Sequence, residues 1–146
     1  MRFEVGKLSE KLKIKLIHCD MFPYPNEYTI DFGLREEAAI LAASGIALYE
    51  PVFVYGACNF LLGKYHIMKT LTQIKHPMIF FNAGGSNNPC YGHFGKGHNF
   101  NEDMQYLKLL GYNVYTPNSP GDIGALTELI LGANQKHPTI IRLGKE

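Results

Sequence analysis

The chain has 146 residues, 46% of them hydrophobic and 18% charged, with a formal net charge of +1. That length suits one domain with a single core, and the near-neutral, scattered charge leaves no electrostatic case for a nucleic acid or a membrane surface as partner. No apolar run reaches the ~18 residues of a membrane span, and Met1-Arg2-Phe3-Glu4 lacks the apolar stretch of a signal peptide. Cys19, Cys58 and Cys90 form no closely spaced pair, so reduced thiols in a cytoplasmic protein are expected.

The lysines between positions 7 and 15 are interleaved with Glu10 and read as a solvated face. Residues 13–19 (KIKLIHC) make the first predicted strand. Asp31-Phe32-Gly33 is a polar turn that runs into a helix predicted over 35–48. Glu36 and Glu37 at its start suit a helix N-terminus for dipole reasons alone. Ala38, Ala42 and Gly45 then share one helical face. Side chains so small let another backbone or a flat ligand come close.

Residues 51–55 (PVFVY) read as a buried strand, and 59–74 as a helix with Leu61, Tyr65, Met68 and Leu71 in one stripe. Residues 77–82 (PMIFFN) form another strand, followed by a long glycine-rich loop over 83–99. A helix is predicted over 100–110 with Phe100, Met104 and Leu107 on one face, then a strand over 112–116. Ser119 caps the next helix, with Pro120 at its first position and Ile123, Leu126, Ile130 and Ala133 turned inward. Residues 139–143 close the chain as a strand.

Apolar strands alternating with helices specify an α/β fold of three layers, α/β/α, around a mainly parallel sheet. Ligands of such sheets bind beyond the C-terminal strand ends, where the loops at 56–59 and 83–99 fall. The second is long for a connection inside an α/β domain, which marks it as functional or disordered. Within it, Cys90, His93 and His98 lack an evident fourth ligand and the spacing of a structural zinc site. Gly95-Lys96-Gly97-His98 lacks the Lys-Ser/Thr of a phosphate-binding loop. No internal repeat or domain linker is evident.

Taken in order, these pieces resemble the pyrimidine-binding domain of the transketolase family, which includes deoxyxylulose-phosphate synthase and the split, two-subunit transketolases. The resemblance covers roughly residues 28–144 and treats the whole chain, 1–146, as one such domain with a divergent segment at 1–27. Asp31-Phe32-Gly33-Leu34-Arg35-Glu36 is similar to the family's glycine turn ending in glutamate. Phe53-Val54-Tyr55 followed by Asn59-Phe60-Leu61 resembles the strand, loop and helix that set an aromatic ring over the cofactor's pyrimidine. Tyr91-Gly92 through Gly95 to His98, with Glu102-Asp103, is similar to the family's histidine loop, and Pro138 to Gly144 fits its last strand.

The resemblance implies thiamine diphosphate as cofactor, with its Mg2+ held by a partner subunit. It maps the glutamate that hydrogen-bonds the aminopyrimidine ring onto Glu36; in a dry pocket such a carboxyl shares a proton near neutral pH. Glu37 is the adjacent competitor and faces about 100° away on a helix. Phe60 is the stacking ring or a plain core residue, and Leu34 and Tyr55 complete the implied cofactor-binding set. His98 would contact substrate and assist proton transfer, with His93 as a substrate-binding neighbour that could replace it. The implied activity is ketol (two-carbon) transfer between sugar phosphates or related aldehydes. It implies a separate diphosphate-binding transketolase subunit as partner, in a homodimer or heterotetramer. No match to the family's diphosphate motif is present.

Proline and threonine of the family's histidine loop are replaced by Lys96 and Gly97, and Gly63 and Asn82 stand where deoxyxylulose-phosphate synthases carry arginines. These departures argue against that synthase. They leave two other readings open: a non-catalytic transketolase-like assembly or regulatory module, and a beta-type subunit of a 2-oxo-acid dehydrogenase.

Overall fold

Helix and strand alternate along the chain in a computed structural model that describes residues 2–19, 22–56, 65–71, 74–83 and 101–143. The first element is a helix, α1 (Arg2–Leu12), where no helix is expected from the sequence. It buries Val5 and Leu8 and leaves Lys7, Glu10 and Lys11 in solvent, as the interleaved charges require. Gly6 sits where a Cβ would stand 2.5 Å from Tyr24 Cδ1 and 2.7 Å from Tyr24 Cβ, so the following loop lies directly on the helix backbone. Lys13 ends the helix at φ 55, and Ile14 N–H donates back to the Ser9 carbonyl at 3.1 Å. This left-handed stop is why the first strand, β1 (Lys15–His18), begins two residues later than the apolar pattern suggests.

A short strand, β2 (Thr29–Asp31), follows and was not expected. Then come α2 (Glu36–Ile46), β3 (Val52–Gly56), α3 (Tyr65–Thr70), β4 (Met78–Ala83), α4 (Asn101–Leu109), β5 (Asn113–Tyr115), α5 (Pro120–Gly132) and β6 (Thr139–Leu143). The helix predicted over 59–74 is helical at Tyr65–Thr70; its other positions at 59–64 and 72–73 lie outside the described residues. The strands form one sheet in the order β2-β1-β3-β4-β6-β5, and every neighbouring pair is parallel.

Because side chains alternate across a strand, the sheet feeds two cores. On one face Val52, Val54, Met78, Phe80 and Ile140 pack with Ala39, Ile40 and Ala43 of α2, Met68 of α3 and Leu107 of α4. On the other, Phe53, Tyr55, Ile79, Phe81 and Ile141 pack with Val5 and Leu8 of α1 and Ile123 and Ile130 of α5. Phe53 and Phe81 meet edge to face with centroids 5.3 Å apart. The three-layer α/β/α expectation therefore holds, each fully buried Leu, Ile or Phe contributing about 1.5–3 kcal/mol.

α5 starts as its sequence predicts. Asp122 N–H donates to Ser119 Oγ at 3.3 Å and Ser119 N–H donates to Asp122 Oδ2 at 2.9 Å, a reciprocal capping box with Pro120 at the first position. Its inward stripe is shorter than expected, because Leu126 is half-buried and Ala133 lies exposed past the helix end. The small-residue face of α2 lies away from the sheet. Ala39, Ile40 and Ala43 turn inward, whereas Ala38 and Gly45 are exposed and Ala42 half-buried. The larger Ile40 fixes the helix rotation, and the small side chains are left on the outside.

Candidate functional site

The C-terminal ends of β1 and β2 shape the site. Parallel register sets His18, the last residue of β1, opposite Asp31, the last residue of β2. The chain then turns sharply. Phe32 N–H donates to the His18 carbonyl at 2.9 Å, and Gly33 N–H donates to Asp31 Oδ1 at 2.7 Å. Gly33 adopts φ +58, a left-handed conformation that costs a residue with Cβ about 1–2 kcal/mol. Arg35 N–H donates to the Gly33 carbonyl at 2.8 Å, and α2 begins at Glu36. Arg35 places no side-chain cap on the helix, so Glu36 and Glu37 supply the negative charge that a first turn favours.

An open cleft of about 640 Å³ lies against this corner, lined by His18, Phe22, Pro25, Asp31, Gly33 and Leu34 among others. Its ligand-facing chemistry is mixed: apolar rings and side chains beside one imidazole and one carboxylate. The His18 side chain is 8% exposed, and Asp31 Oδ1 approaches its Nδ1 to 3.6 Å. That separation is too long for a hydrogen bond, and Nδ1 is buried with no hydrogen-bond partner. Phe22 packs at tilted angles against two rings, 5.2 Å from His18 and 4.8 Å from Tyr55 by centroid.

The residues singled out in the sequence fall into three groups. Glu36 is half-buried at the first position of α2, and Glu37 beside it is exposed. Leu34 lines the cleft at 79% exposure, and the same turn carries both residues. Tyr55, 2% exposed, sits instead in the core on the α1 and α5 side, behind Phe22. Phe60, His93 and His98 lie outside the described residues.

His18 and Asp31 are the polar groups that sequence reasoning missed. The available signal was a histidine closing an otherwise apolar strand. A second buried polar group, Asn82 at the end of β4, has no hydrogen-bond partner for either amide atom. It pairs in register with Gly56 of β3 and Arg142 of β6. Burial pushes the Arg142 guanidinium pKa down. Among the described residues no three His, Cys, Asp or Glu side chains gather into a metal-holding group, and no helix is long and apolar enough to cross a membrane. Cys19, directly after β1, is buried.

Comparison with known proteins places this corner in context. The family model described as "Transketolase, pyrimidine binding domain" matches residues 13–146. No curated protein matches the sequence. Among solved structures, a transketolase from Campylobacter jejuni subsp. jejuni is similar over 97% of this chain, with a TM-score of 0.72 and 17% identity. A putative thiamin diphosphate-dependent enzyme from Mycobacterium smegmatis is similar over 95%, with a TM-score of 0.68 and 16% identity. Benzoylformate decarboxylase from Polynucleobacter necessarius is similar over 97%, with a TM-score of 0.61 and 15% identity. At these identities the likeness concerns the fold. The chain spans 25%, 30% and 29% of those three proteins' own lengths, respectively.

Proposed function

This chain belongs to the family of transketolase pyrimidine-binding domains, and from that premise we propose that it is one subunit of a split, thiamine-diphosphate-dependent transketolase-like enzyme. Glu36 activates the cofactor's aminopyrimidine, and the complex transfers a two-carbon ketol unit between sugar phosphates or related aldehydes. The observation that carries the reading is Glu36 itself. It is a half-buried carboxylate at the head of a helix, delivered by a left-handed glycine turn at the C-terminal edge of an all-parallel sheet.

The residues present fit one end of such a cofactor. A half-buried carboxylate is a suitable hydrogen-bond partner for a ring nitrogen, and Leu34, two residues before it, lines the cleft with an apolar side chain. Thiamine diphosphate supplies the nucleophilic carbon for carbon–carbon cleavage when bound. Glu36 would hold a proton at the pyrimidine nitrogen, and the turn would fix the carboxylate's direction. Phe60 would stack on the ring, and His98, or His93 in its place, would contact the substrate. Mg2+ and the diphosphate would be held by the partner subunit. Support for that partner comes from the outer face of α2. Ala38 and Gly45 lie there among exposed Leu41, Leu48 and Tyr49, an apolar surface suited to a second chain.

The test is to purify the chain with a diphosphate-binding partner subunit and measure thiamine diphosphate binding and ketol transfer. Glu36→Gln keeps the shape but removes the acid, and turnover is expected to fall by at least about 100-fold. Turnover within about twofold of the parent refutes the glutamate's role. The altered histidine loop, Gly95-Lys96-Gly97-His98, favours a second reading as a non-catalytic assembly module. Failure of the complex to bind cofactor would select it.

A further inference from the structure

We infer that His18, oriented by Asp31, is a ligand-contacting residue that accepts a hydrogen bond from a hydroxyl group of an uncharged, hydroxylated small molecule in the cleft beside Gly33 and Leu34. Leu34 of this cleft is also offered to the proposed cofactor, so the inference deepens that reading, while its readout needs neither cofactor nor partner.

Three observations carry it. The imidazole is nine-tenths buried, yet it lines the cleft. Its Nδ1 has no hydrogen-bond partner. Asp31 Oδ1, on a side chain 70% exposed, lies 3.6 Å from that nitrogen. A neutral imidazole carries one N–H and one lone pair. The carboxylate's field favours the proton on Nδ1, facing it, and so leaves the lone pair on Nε2 as the acceptor offered to the cleft. Asp31 is held for this task, since its Oδ1 already accepts the Gly33 N–H at 2.7 Å. It acts through the ring and is a positioning residue.

The chemistry of the cleft selects the ligand class. Two acceptors, an imidazole nitrogen and a carboxylate, repel an anion and call for a donor. Phe22, Pro25 and Leu34 line the cleft beside them, so a ligand that fits presents carbon as well as a donor. A hydroxyl on a short carbon chain meets both conditions.

The experiment uses the full chain with 15N-labelled histidine. Ring-nitrogen shifts report the tautomer of His18, whose signals are assigned by their loss in His18→Gln. The parent is expected to hold the proton on Nδ1. Erythritol is expected to perturb the Nε2 signal saturably, whereas inorganic phosphate and ethylammonium leave it unmoved. Asp31→Asn retains an oxygen for Gly33 N–H but removes the charge. It should mix the tautomers and weaken erythritol binding about tenfold. A parent ring protonated on Nε2 overturns the inference without any variant. So does a response to phosphate or ethylammonium in place of erythritol, or to none of the three. Loss of ketol transfer in Glu36→Gln bears on the other proposal and leaves this one untouched.

Discussion

The centre and the edge of the sheet obey different rules. β3 and β4 are buried at every position and carry little but apolar side chains. At the edge, β2 has three residues, two of them exposed, and it leads into a left-handed glycine turn beside an imidazole whose Nδ1 has no hydrogen-bond partner. The centre maximises burial. The edge forgoes burial, leaving room for a cleft and a half-buried acid. The two regions should therefore respond to substitution by different mechanisms and with different magnitudes.

The largest effect is expected at the centre. Phe80 is fully buried in β4, and Phe80→Ala should lower unfolding free energy in urea by about 3–5 kcal/mol. Next is the close approach between α1 and the loop before β2. Gly6→Ala brings a methyl group into Tyr24 and should cost about 1–3 kcal/mol. At the turn, Gly33→Ala meets open space but a left-handed backbone, so a loss of about 1–2 kcal/mol should come from strain alone. If Gly33→Ala proves as damaging as Phe80→Ala, the contrast between centre and edge is wrong.

The opposite edge gives a pH test. Tyr112 donates its hydroxyl to the Met68 carbonyl and ties α3 to the chain before β5. Burial raises its phenol pKa above the ordinary 10.0. The unfolded chain therefore loses that proton first, and the stability tied to the neutral phenol is complete below pH 10.0 and falls as pH rises beyond it. Alkaline titration of stability should show this decline, and Tyr112→Phe should flatten it while costing about 1 kcal/mol at neutral pH. The smallest effect belongs to the surface. Lys15 and Glu50 pair at 2.6 Å, each about half exposed, and Lys15→Gln should change stability by less than about 1 kcal/mol, screened further by salt.

The same division explains what the sequence makes legible. Strands at 52–56, 78–83 and 139–143 lie within a residue of expectation because an apolar run covered on both faces has no other stable place. Ser119 and Pro120 announce their helix through local chemistry. The Gly33 turn and Glu36 are equally local, so their positions were readable. β2 was not, because three residues, two of them exposed, carry too little periodicity. The rotation of α2 is not legible in its small residues, which suit either a core or an open surface; Ile40 decides which. His18 escaped notice for a different reason. Its significance depends on Asp31, thirteen positions away, coming opposite through parallel pairing, and no local pattern encodes that register.

The brevity of β2 has a further consequence. It is the outermost strand on its side of the sheet, and parallel strands with a free border invite pairing between molecules. Three residues, closed by an acidic group and a tight bend, give an incoming backbone almost no ladder to extend. Replacing Asp31 with an uncharged β-branched residue would remove that guard along with the imidazole's companion. Such a variant should aggregate as well as lose its polar contact.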